Sequence, residues 1–233
     1  MGGKMNFDLT DDQRALIDTV EKFAGSATAK RSSSTDSEAW AAGIAGRGQG
    51  RAELGLPGLL VAEADGGIGM TMADAVLVCE ALGQSLAQEP FITAAIVAPK
   101  LLERCASDQV RSDQLAAIAE GDMRIALAID ESILDFNPKN IAACASKSGS
   151  SFALSATKHL VIDGLTATHF VVTAQVDQQG FNAFILAADR PGVTVTPVRS
   201  LDGGWLAQVE FDSVEVDMPL LEEKTALEDV IRA

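Results

Sequence analysis

The feature that most constrains this chain is a change of hydrophobic period near residue 123. Before that point apolar residues recur at helical spacing, and after it they recur at the spacing of strands. Both patterns in series along 233 residues predict an α+β protein: an N-terminal all-α domain, then a β-barrel or sandwich middle domain. We divide the chain as 5–122, helical; 123–221, β; and 222–233, the opening turns of a truncated C-terminal helical domain. Met1 to Lys4 read as an appendage.

Within the helical half, Thr10-Asp-Asp-Gln13 has the spacing of a capping box. Leu16, Val20, Phe23 and Ala24 then fall on one helical face. The polar run Ser26 to Ser37 reads as a mobile loop. Gly46-Arg-Gly-Gln-Gly50 reads as a flexible surface joint after a helix around Trp40 and Ile44. Leu54 to Gly58 and Asp65 to Gly69 are turn chemistry, and Thr71 to Asp74 opens a capped helix carrying Ala75, Cys79 and Leu82 inward. Phe91 to Arg104 is apolar nearly all round, which predicts a deep helix. A last helix begins at Ser107, carries Leu115 and Ile118, and stops at Gly121-Asp122.

Candidate strands follow at Arg124–Asp130, Ile141–Ser146, Phe152–Ala156, His159–Asp163, Thr168–Gln175, Phe181–Ala187, Val193–Pro197 and Leu206–Phe211. Turns are predicted at Lys147 to Ser150 and Asp177 to Gly180. After Pro219 the pattern is helical again, with Leu227, Val230 and Ile231.

The formal charge of −15, without a basic patch, excludes a nucleic-acid binder. The apolar stretch Phe91 to Pro99 falls short of the ~18–20 residues of a membrane span. No secretory leader precedes it, so a cytoplasmic location is expected. Cys79, Cys105 and Cys144 are widely spaced and odd in number, which predicts inert, reduced core thiols. His159 and His169 are too isolated to anchor a metal with them. Gly67-Ile-Gly69 lacks a third glycine and follows no strand, so it is a turn and not a dinucleotide fingerprint.

Several stretches, taken in order, resemble the acyl-CoA dehydrogenase family. They are Phe7 to Arg14, Ala52 to Val61 with Asp65 to Gly69, Ile125 to Glu131, Pro191 to Val195, and Val209 to Val216. The resemblance implies an FAD-dependent enzyme that oxidises an acyl-CoA thioester to a 2-enoyl-CoA. A carboxylate removes the proton beside the carbonyl and the β-carbon gives a hydride to the flavin. It also implies electron-transfer flavoprotein as acceptor, and a homo- or hetero-oligomer once the C-terminal domain is present. By matching, the flavin would meet Leu127, Ile129, Asp130, Leu160 and Ile162. An acyl chain would lie along Phe91, Thr93, Ala94 and Val97, unless that helix is plain core.

The sequence departs from the family at instructive places. Asp130 stands where the family has threonine, Ser132 where it has proline, and Leu134 to Pro138 where it has a Gly-Ser-Asp loop. Leu160 and Ile162 replace a tryptophan and a threonine. An ionised Asp130 beside a reduced flavin would be unfavourable. The family's catalytic base lies in the bundle that the chain lacks, so no carboxylate here is assigned that role. Glu131 reads as a structural carboxylate satisfying nearby amides. Asp130 reads as a cofactor contact or a solvated strand-end acid, and His159 as a flavin-wall residue or a solvent-facing one. Trp40 and Trp205 read as packing residues. Three functions remain open: an acyl-CoA dehydrogenase whose incomplete chain is inactive alone, a non-catalytic subunit of a heteromeric one, or an acyl-CoA carrier without redox activity.

Overall fold

The computed structural model describes residues 8–29, 35–105, 108–132, 141–176, 180–217 and 219–220. Helix α1 (Asp11–Ala29) starts at the expected capping box. The Thr10 amide donates to Gln13 Oε1 at 3.1 Å and the Gln13 amide donates to Thr10 Oγ1 at 3.2 Å. Gln13 Nε2 also donates to Asp74 Oδ1 at 2.8 Å, joining this cap to the Thr71–Asp74 capping box of α4 (Met72–Gln84). Those bonds, from Gln13 first and then Thr71, hold the Asp74 carboxyl below its ordinary pKa. Between the helices Val20, Ala24, Ala75, Val78 and Leu82 form a core with Leu56, Leu59 and Phe91.

The polar run is shorter than expected, because α1 continues through Ser26 to Ala29 and α2 (Ser37–Ala45) begins at Ser37; residues 30–34 lie outside the described residues. The glycine-rich joint is helical as well: α3 spans Gly48–Glu53. A glycine costs a helix about 1 kcal/mol relative to alanine, but here two arginines anchor the turn. Arg47 Nε and Arg51 Nη1 both donate to the carboxylate of Glu89, and Arg51 Nη1 reaches Ile44 O at 3.0 Å. Tertiary pairing outweighs local propensity.

The turn after α3 packs backbone against backbone. A Cβ on Gly67 would lie 2.1 Å from the Val61 carbonyl oxygen. Gly67→Ala is therefore expected to lower stability by roughly 3 kcal/mol, measured as a shifted urea midpoint at unchanged slope.

The apolar segment after Pro90 is a π-helix over Ile92–Val97 that runs into α5 (Ala98–Cys105). Pro99 has no amide to donate to Ala95, and the Ala98 amide reaches back five residues to Thr93 O. The segment is not buried all round: Ile92 is 61% exposed. Helix α6 (Asp108–Ala119) follows and buries Leu115 and Ile118.

Among the described residues the β half is one seven-stranded sheet. Its strands are β1 (Ile125–Ala128), β2 (Cys144–Ser148), β3 (Ser151–Val161), β4 (His169–Val176), β5 (Gly180–Ala187), β6 (Val193–Arg199) and β7 (Trp205–Val216). The hydrogen-bonded path runs β1-β4-β2-β3-β7-β6, with β5 paired to β4 off that path. β1 lies parallel to β4 from Ile125↔His169 to Ala128↔Val172, and β2 takes over beside Gln175 and Val176. The two strands expected at 152–156 and 159–163 are one strand, because β7 pairs along both. Register shifts between Leu154/Ala156 and Lys158/Val161 bend it, with Leu160 at φ +52°.

The curled sheet wraps a core in which Phe170 and Phe211 meet edge-on at 5.9 Å, beside Phe152 and Phe184. Its outer face carries Ile125, Val171 and Ala183 against Ala98, Leu101, Leu102, Leu115 and Ile118 of α5 and α6. Two of the cysteines depart from expectation. Cys144 is exposed and Cys79 only half-buried, both as free thiols, while the Cys105 side chain lies outside the described residues. Trp40 is buried with Nε1 on Gln88 Oε1 at 3.1 Å, and Arg199 lies 4.9 Å over the Trp205 ring. The Leu134 to Pro138 loop, the turn at 177–179 and the segment 222–233 lie outside the described residues. Among the described residues no helix is long and apolar enough to cross a membrane.

Candidate cofactor and substrate site

The site is built where β1 ends. β4 is the strand partner of β1, and Arg124 O accepts from the His169 amide at 3.1 Å. Parallel pairing therefore turns the backbone groups of Ala126 and Ala128 to β4, and those of Leu127 to the other edge. Leu127, Ile129 and Asp130 are all half-buried. Asp130 O accepts from the His159 amide at 2.7 Å, which fastens this edge to β3.

Beneath it lies Lys158, whose side chain is fully buried. Its ammonium donates to Glu131 Oε1 at 2.5 Å, Thr173 Oγ1 at 3.0 Å and Ile129 O at 3.2 Å. Glu131 in turn accepts from the amides of Ala142 at 2.6 Å and Ala143 at 3.2 Å. It is a structural carboxylate, as the sequence reading expected. Burial pushes the Lys158 pKa down, while the hydrogen bond and charge of Glu131, then the charge of Asp130, pull it up. Asp130 is not a fully solvated acid: burial raises its pKa, opposed by the Lys158 charge. Sequence reasoning passed over Lys158, although the signal was present. Phe152 and Leu154 point inward at period two, and the same alternation carried on places Lys158 inside.

Past the bend of β3, Leu160 is half-buried and Ile162 is 60% exposed. Asp163 follows at φ +60°. Thr93, on the π-helix, donates its hydroxyl to Asp163 Oδ2 at 2.8 Å, and so joins the helical half to this end of β3. Burial raises the Asp163 pKa, opposed by the Thr93 bond and then by Arg51, with Glu89 reinforcing the rise. Of the residues expected to meet a flavin or an acyl chain, Asp130 is tied to β3 one residue before Leu160, Thr93 reaches Asp163 one residue after Ile162, and Leu127 packs against the α5 and α6 cluster. Phe91 sits inside the helical core. Phe91 and Ala94 border a small cavity with Arg51, Pro57, Met123 and Arg124, and Val97 is half-buried.

Residues 10–122 match the family described as acyl-CoA dehydrogenase, N-terminal domain. The helical half of the chain belongs to the acyl-CoA dehydrogenase family. Among curated relatives it is 29% identical over 155 residues to acyl-CoA dehydrogenase FadE27 of Mycobacterium tuberculosis, covering 66% of this chain and 40% of that one. It is 25% identical over 215 residues to benzylmalonyl-CoA dehydrogenase of Aromatoleum aromaticum, covering 89% and 56%. The fold matches the ChsE4-ChsE5 complex from Mycobacterium tuberculosis with a TM-score of 0.78 at 23% identity, over 96% of this chain and 60% of that one. The chain therefore spans less than two thirds of each of these relatives.

Proposed function

We propose that the whole protein is an acyl-CoA dehydrogenase-type flavoprotein that oxidises an acyl-CoA thioester to a 2-enoyl-CoA, with this chain forming its front part. The observation that carries the reading is the meeting of the β1 end, β3 and the π-helix through the His159–Asp130 and Thr93–Asp163 bonds. FAD, when bound, would accept the hydride from the β-carbon of the acyl group.

The residues present fit such a ring. Leu160 and Ile162 offer it an apolar face, and the outward backbone groups of Leu127 offer hydrogen bonds along a strand edge. Burial raises the Asp130 pKa against the opposing Lys158 charge, which weakens the preference for the ionised form that would repel a reduced flavin. No residue of this chain is assigned as catalytic base. Electron-transfer flavoprotein is the proposed acceptor, the cytoplasm the proposed compartment, and 5–122, 123–221 and 222–233 the proposed domains.

A second reading is a non-catalytic subunit paired with a complete homologue. Aliphatic Leu160 and Ile162, where the family has an aromatic ring and a hydroxyl, favour it, and the solved ChsE4-ChsE5 relative is a complex of two named subunits. Visible absorbance of the purified full-length protein separates the two. The first reading expects a yellow protein whose flavin bleaches on addition of acyl-CoA. A colourless protein that co-purifies with a flavin-bearing homologue supports the second. Calorimetric binding of acyl-CoA by a flavin-free, partnerless protein would leave only the carrier.

A further inference from the structure

Thr93 and Asp163 belong to different halves of the fold, yet they share a 2.8 Å side-chain hydrogen bond. Both stand in uncommon backbone. Thr93 lies in a six-residue π-helix, a rare form that concentrates at functional positions. Asp163 has φ +60°, and Leu160, three residues before it, has φ +52°. Positive φ in non-glycine residues is costly unless surrounding contacts hold it. Each partner also adjoins an exposed isoleucine, Ile92 at 61% and Ile162 at 60%. Arg51 and Glu89 act on the Asp163 carboxyl from the helical half, so this end of β3 is coupled to that half by charge as well.

We propose that Asp163 is a positioning residue that, through the Thr93 hydroxyl, sets the spacing between the π-helical segment and the ring-facing end of β3. That spacing aligns an acyl chain lying along the π-helix with a flavin resting on Ile162. The Thr93 hydroxyl is then committed to this clamp and is not a donor to the thioester. The inference rests on the reading in the preceding subsection.

The test uses the full-length holoenzyme with octanoyl-CoA, comparing Thr93→Val, Asp163→Ala and the double variant. Thr93→Ser and Asp163→Asn are the restoring changes, since asparagine tolerates positive φ and still offers an acceptor oxygen. Each single disruption is expected to lower kcat/KM about tenfold with flavin content retained. The double variant is expected to be no worse than either single one, because the two residues act as a unit. The restoring variants return to within about twofold of wild type.

Unchanged kcat/KM in Thr93→Val, additive losses in the double variant, or loss of flavin from Thr93→Val would each overturn the clamp. A flavin-free wild type removes the redox reading alone. The same variants are then compared by calorimetry, where a Kd for octanoyl-CoA about fivefold weaker supports the clamp. An unchanged Kd, or a wild type that binds no octanoyl-CoA, overturns it.

Discussion

Glu131→Ala is expected to lower the unfolding free energy by roughly 3–5 kcal/mol, measured by urea denaturation at neutral pH. The change leaves the Lys158 ammonium, fully buried, without its charged partner, and the amides of Ala142 and Ala143 without their acceptor. Partial loss of a buried pair is far more damaging than its replacement by apolar groups of similar shape. Lys158→Met in the Glu131→Leu background is therefore expected to recover much of the loss.

The pH dependence identifies the cause. Burial holds the folded-state pKa of Lys158 below its ordinary 10.5, and Glu131 is the main influence opposing that fall. Between the depressed value and 10.5, the unfolded chain binds more protons than the native one, so stability rises with pH in that window. Removing Glu131 lowers the folded value further and widens the window downward. The Glu131→Ala penalty should thus shrink as pH is raised toward 10.5. A penalty that stays flat with pH would show that an uncompensated ammonium is not its cause.

The second large effect is expected at Glu89, whose side chain is 1% exposed and lies between the guanidinium groups of Arg47 and Arg51. Glu89→Ala strands two cations in the interior and should also cost roughly 3–5 kcal/mol. Glu89→Gln should cost less, since its amide oxygen still accepts from one arginine. The loss has a local signature as well. Helix α3 is rich in glycine and depends on those two arginines, so amide exchange across Gly48 to Glu53 should speed up more than in α1. Equal acceleration in both helices would mean that Glu89 supports the fold generally and not α3 in particular.

These two carboxylates mark where the sequence was readable and where it was not. Local chemistry was legible. The Thr10–Gln13 box, the Thr71–Asp74 box and the switch of period near residue 123 all act within a few residues, and each appears where expected. Long-range pairing was not legible. Glu89 is 38 residues from Arg51, and nothing near either one announces the pair that makes the Gly48–Gly50 turn helical. The π-helix escaped notice because apolar periodicity does not report hydrogen-bond register. Only Pro99, seven residues after Ile92, hinted at it. At the site, family likeness assigned Leu127, Ile129, Asp130, Leu160 and Ile162 to a flavin. It could not supply Lys158 beneath them, or the Asp163 carboxyl that draws Thr93 across from the helices.

The apolar seam between α5, α6 and the outer face of the sheet bears on how such a protein diverges. Leu101, Leu102, Leu115 and Ile118 come from one side of Met123, and Ile125, Val171 and Ala183 from the other. Recombination at that junction would join surfaces shaped by different histories, and mismatched volumes across a close-packed contact leave voids or clashes. Exchanging the front of this protein for that of a cousin therefore means carrying over the matching residues of β1, β4 and β5. The two halves form one fitted pair.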